Sequence, residues 1–120
     1  ILIMSLICKR FQTDNPPYTA ESLSDEHKIP IRLTTTILYE LQDLHMIHET
    51  PVEDDDEEMA YLPAVDINQM NVAMLLRRLD KDGSEAFKID RERYHAPWEA
   101  LTQAREDYYE STGKILLKDL

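Results

Sequence analysis

Apolar residues recur at three- and four-residue spacing along most of the chain, the period of an amphipathic helix. In IPIRLTTTILYELQDLHMIHE, Ile29 to Glu49, one face is made by Ile37, Leu38, Leu41 and Leu44, and Thr34 extends it. Arg32, Thr35, Thr36, Tyr39 and Asp43 point the other way. The spacing predicts a helix from about Pro30 to Leu44, with Pro30 in the first turn, where its missing N–H is not needed. Upstream, ILIMSLICKRF predicts a helix over Ile3–Phe11, ended by TDNPP because neither proline can continue it. Thr19 then offers an N-cap hydroxyl to a short helix, AESLSDEH, anchored by Leu23 and followed by a turn at Lys28 and Ile29.

Downstream the period changes. MIHETPV and MAYLPAV are short extended segments that flank an acid run, so they predict a hairpin with an acidic tip. Pro63 lacks a ladder donor, which places its strand at an edge. Asp66 or Asn68 is positioned to cap the next helix, whose core face is Val72, Leu75, Leu76 and Leu79, and Gly83 suits its C-terminal end. SEAFKIDRER is a mixed-charge connection. The last helix starts near Pro97, with Trp98, Leu101 and Tyr108 on one stripe. Helical spacing assigns Trp98 and Tyr108 to the core, and leaves Tyr109 and the tail ILLKDL exposed.

The order helix, helix, helix, hairpin, helix, helix predicts a mainly α fold with a small β-hairpin: a winged helix-turn-helix with additional C-terminal helices. The expected layout is one domain over 1–120, with the helix-turn-helix and wing in about 1–65 and a helical extension in about 66–120. Two glycines in 120 residues are too few for the tight turns of an all-β sandwich or barrel. Cys8 is the sole cysteine, so neither an internal disulfide nor a Cys-rich metal site can form within one chain. The opening apolar run is too short to cross a bilayer and has no basic segment before it, so it is neither a membrane span nor a signal peptide.

Charge changes the functional picture. The net charge is −11, and residues 46–65 carry seven carboxylates and no cation. Most of the acidity is the run EDDDEE, Glu53 to Glu58. A DNA reader needs Lys and Arg to neutralise phosphates. The outward face of the 30–44 helix offers Arg32 against Glu40 and Asp43, and the wing tip is acidic. These local charges argue against DNA as the partner.

No enzymatic constellation emerges either. LDKDGSE is not a calcium loop: with Gly83 at the obligatory glycine, the first ligand position falls on Arg78 and the glutamate position on Ile89. HMIHE does not have the spacing of a zinc protease helix and brings no third ligand. There is no Gly-rich phosphate loop and no nucleophile elbow. The sequence therefore predicts no catalytic residue, no cofactor and no metal. Its candidate surfaces are the outward face of the 30–44 helix, with Arg32, Thr36 and Tyr39, and the acidic wing, with Asp54, Asp55 and Asp56.

The run from Pro16 to Glu49, followed by YLPAVDINQMNVAMLLRRLDKDGSE, resembles two families. One is the winged-helix repressors of the iron–sulphur-responsive type, which share the phrasing of IP.R, IL..L...H.I and P..DI. Their cluster-binding cysteines and basic recognition surface are missing here, so that function does not carry over. The closer resemblance is to the C-terminal cytoplasmic domain of YihY/BrkB-family inner-membrane proteins, often labelled ribonuclease BN or tRNA-processing ribonuclease. It implies a non-catalytic interaction or regulatory domain on the cytoplasmic face of the bacterial inner membrane. The partners it implies are the rest of a membrane-embedded chain, or another copy of the domain. The alternatives are a soluble winged-helix transcriptional regulator and part of a tRNA-processing ribonuclease.

Overall fold

The structure, a computed structural model, describes residues 1–52, 55–84 and 92–120, with the backbone alone for residues 55–57 and 82–84. Helix α1 covers Leu2–Phe11 and turns Ile3, Met4, Ile7 and Cys8 into the core. Helix α2, Ala20–His27, starts where the sequence predicts. The Thr19 hydroxyl accepts from the Ser22 amide at 3.1 Å, and the Ser22 hydroxyl accepts from the Thr19 amide at 2.9 Å. This reciprocal pairing satisfies two backbone donors that would otherwise be orphaned. Lys28 ends α2 in the left-handed region, at φ 53°.

Helix α3 covers Ile31–Asp43, with Pro30 as its N-cap. Thr34, Leu38 and Leu41 are buried, as their spacing requires, and Ile37 is partly buried. Strands β1 (Ile47–Val52) and β2 (Asp55–Pro63) form an antiparallel hairpin. Ile47 lies opposite Pro63 and Thr50 opposite Ala60, and the register slips between Pro51 and Val52. Strand β2 begins inside the acid run: Asp55 pairs with Val52, and Asp56 to Glu58 fall where the register slips. Backbone pairing does not require an apolar side chain, so the strand extends into the acidic tip as far as Asp55. The other side of β2 is tied to the turn before α2, where the Tyr61 amide donates to the Tyr18 carbonyl at 2.9 Å.

Helix α4 covers Val72–Ser84 and runs through Gly83 rather than stopping at it. Its cap is Asn71, whose Oδ1 accepts from the Met74 amide at 2.8 Å. Asp66 instead closes a local turn by accepting from the Asn68 amide at 2.9 Å. Helix α5 covers His95–Thr112. The tail folds back: the Leu117 amide donates to the Met70 carbonyl at 3.0 Å, and a short 3-10 turn over Leu117–Asp119 packs beside α1.

Two surface expectations are reversed by these contacts. Leu117 in the tail is fully buried and Tyr109 is buried, while Tyr108 is exposed. The Tyr109 hydroxyl donates to Asp80 on α4, and Arg77 stacks over its ring at 4.6 Å, so the neighbour of the predicted core tyrosine takes the interior place. The core joins α1, α2, α3, the hairpin, α4 and the tail: Met4, Leu23, Leu38, Ile47, Leu75 and Leu117 belong to one contiguous cluster.

Candidate nucleic-acid interface

Helix α3 presents its outer side without cover. Arg32, Thr35, Thr36 and Tyr39 are exposed, Tyr39 by 77%. At 3.6 residues per turn, Arg32, Thr36 and Tyr39 lie within one narrow stripe opposite Thr34, Leu38 and Leu41. The structure thus brings together the three sequence-predicted residues of this helix. Thr36 donates its hydroxyl to the Arg32 carbonyl at 2.8 Å, and Thr35 donates to the Ile31 carbonyl at 2.6 Å. The wing residues of the same prediction are not placed: Asp54 lies outside the described residues, as do the side chains of Asp55 and Asp56.

Charge along α3 is segregated. Arg32 is the sole charged residue between Ile31 and Leu38, and Lys28 is exposed in the turn just ahead. Glu40 and Asp43 follow only about 12 and 16 Å farther along the axis at 1.5 Å per residue. The sequence argument against DNA weighed all of these as one face. The fold separates them into a carboxylate-free leading half and an acidic trailing half.

Two supports hold α3 in place, and neither is obvious from composition. Arg78 on α4 donates through Nη1 to the His45 carbonyl at 3.0 Å and to the Leu44 carbonyl at 3.3 Å. These acceptors sit just past the end of α3, where carbonyls lack helical partners. His45 occupies the left-handed region at φ 59° and so turns the chain into β1. The signal for Arg78 was its place three residues after buried Leu75, at the rim of the core face. At the other end, Tyr18 is buried between α1 and α2. Its hydroxyl and His27 Nε2 are 3.0 Å apart, and Arg10 stacks over its ring at 4.4 Å. Burial, and next the Glu26 carboxylate, push the Tyr18 phenol above its usual range. Tyr61 in β2 is raised by burial and then by Glu49.

A cleft of about 730 Å³ lies between the wing and the loop joining α1 to α2, lined in part by Arg10, Pro16, Pro17, Thr50 and Leu62. A shallower recess of about 500 Å³ holds Glu21, Glu49 and Glu58 around Tyr61. Among the described residues no group of three His, Cys, Asp or Glu side chains is placed to hold a metal ion.

No protein-family model matches the chain, and no curated protein matches it. Solved structures do. IscR of T. potens matches over 97% of this chain and 75% of its own, with TM-score 0.63 and 16% identity. CymR, the global cysteine regulator of B. subtilis, matches over 98% of this chain and 85% of its own, with TM-score 0.65 and 14% identity. At such low identity the likeness establishes the fold: this chain is a winged helix of the kind these regulators have.

The likeness corrects the closer family resemblance. Structures sharing the fold over nearly the whole chain are winged-helix regulators, and nothing in the comparisons indicates a YihY/BrkB membrane-protein domain. The inner-membrane location, the membrane-embedded partner and the ribonuclease label rested on that resemblance and fall with it. Among the described residues no helix is long and apolar enough to cross a membrane. The pattern misled because winged helices share their spacing of core residues, which reports packing and not partner.

Proposed function

We propose that this protein is a winged-helix transcriptional regulator that binds duplex DNA through α3. The observation that carries the proposal is the leading half of α3: exposed, free of carboxylates, and bearing Arg32 with Lys28 just ahead. In a helix-turn-helix the second helix enters the major groove with its N-terminal residues at the base edges. The likeness to IscR and to the cysteine regulator CymR supports the same reading over the older expectation of a protein-only surface. The acidic balance elsewhere lowers non-specific attraction to DNA.

The binding unit is a pair of copies. Tyr94, at the N-cap of α5, and Leu101 and Tyr108 along it recur every seven residues and are exposed by 48%, 42% and 49%. Trp98 and Arg105 fall between them, half-buried, giving the alternating four-three spacing of a coiled-coil seam. A second α5 is the partner such a seam fits, and a two-fold pair would set two α3 helices against two half-sites.

The test is binding of the whole chain to labelled genomic fragments across a salt series. Binding that weakens steadily as salt rises is expected. Absence of binding at low salt overturns the proposal.

A further inference from the structure

The chemistry of the α3 face limits which bases it can read, and this inference rests on the DNA-binding reading above. Arg32 is the sole cation on the leading half of the helix. A guanidinium pairs best with the O6 and N7 acceptors of guanine. The two threonines beside it have used their hydroxyl protons on the helix backbone: Thr36 on the Arg32 carbonyl at 2.8 Å, and Thr35 on the Ile31 carbonyl at 2.6 Å and the Arg32 carbonyl at 3.2 Å. Neither can therefore donate to a base without giving up that bond, and each is left to offer its methyl group and the lone pairs of its hydroxyl oxygen. In the major groove the matching apolar feature is the C5-methyl of thymine. No carboxylate precedes Glu40, so the leading half has no acceptor of the kind that selects cytosine N4. Tyr39 closes the stripe, about 10 Å from Arg32 along the axis at 1.5 Å per residue.

We propose that α3 reads a guanine through Arg32 and a neighbouring thymine, within about three base pairs, through the methyls of Thr36 and Thr35. The specificity-determining residues are thus Arg32 and Thr36, with Asp43 too far along the helix to share the window.

The experiment starts with selection of duplexes from a randomised pool by the full chain. Expected is an enriched half-site containing guanine close to thymine. The thymine is then replaced by deoxyuracil, which lacks only the methyl. Affinity should fall about 3- to 5-fold, the size of one buried methyl. Thr36→Ser should cause the same loss on the thymine duplex and no further loss on the deoxyuracil duplex. Arg32→Ala should erase discrimination at the guanine by about 10-fold or more. Circular dichroism checks that both variants fold. If deoxyuracil binds as tightly as thymine in the selected site, methyl reading is overturned while DNA binding stands. If no duplex is enriched and none binds at low salt, both proposals fall together.

Discussion

Thr19 and Cys8 are single residues whose contributions can be isolated. Thr19 stabilises α2 through the paired bonds with Ser22, so Thr19→Ala should cost about 1 kcal/mol in denaturant unfolding. Ser22→Ala should remove the other half of the same pair. Cys8 has no exposed surface, and burial pushes its thiol from the ordinary 9.0 up to about 11. The unfolded chain therefore releases this proton first as pH rises. Stability is fully present below about pH 9 and is lost as pH climbs towards 11. The loss should reach roughly 2 kcal/mol at pH 11, read by chemical denaturation at several pH values. Tyr109, raised by its hydrogen bond to Asp80, adds to the loss in the same direction. Cys8→Ala should flatten the alkaline slope in part; an unchanged slope would mean the thiol is not its source. Thr19 was legible in the sequence as a cap. The Tyr108–Tyr109 exchange was not, because neighbouring residues on a helix differ by only about 100° in direction. The choice between them was made by Asp80 and Arg77 on another helix.

At the scale of elements, the α3 period gave the correct inward and outward sets, since burial on one side of a helix is a local constraint. What supports the helix is not local. Arg78, from α4, holds the carbonyls that follow α3, and Arg78→Gln should destabilise the fold by roughly 1–3 kcal/mol, as expected for loss of a charged donor to two backbone acceptors, one of them partly buried. It should also weaken DNA binding more than Thr19→Ala does at matched stability, since it frees the end of the reading helix. Equal effects would make Arg78 a stability residue only. The α5 seam is tested by Leu101→Glu combined with Tyr108→Glu. Light scattering should show the wild-type chain as a dimer and the double variant as a folded monomer. A wild-type monomer at high concentration would remove α5 as an interface. The hairpin ends were the least legible part, because strand pairing through Asp55 is decided by the partner strand and not by side-chain polarity.

At the scale of the molecule, the chain is elongated: its radius of gyration is 17.1 Å and its extents are 58 × 28 × 23 Å. A compact domain of this length would have a radius of gyration near 14 Å. Among the described residues α5 packs chiefly on α4, and Leu101 and Tyr108 stay exposed along it, which is the physical basis for a second copy. The acidity makes a further prediction about DNA. With Lys28 and Arg32 as the cations next to the groove, the dependence of log affinity on log salt should have a slope near −2 per copy, at about −0.9 per phosphate contact. A slope near −6 per copy would place the DNA on another surface. The sequence by itself determined the order of elements, the Thr19 cap, the buried face of α3 and the winged-helix class, because each follows from spacing along one segment. Only the tertiary structure decided the anchoring of α3 by Arg78 and the burial of Tyr109 and Leu117. Those depend on which distant segments meet, and spacing along the chain carries no record of that.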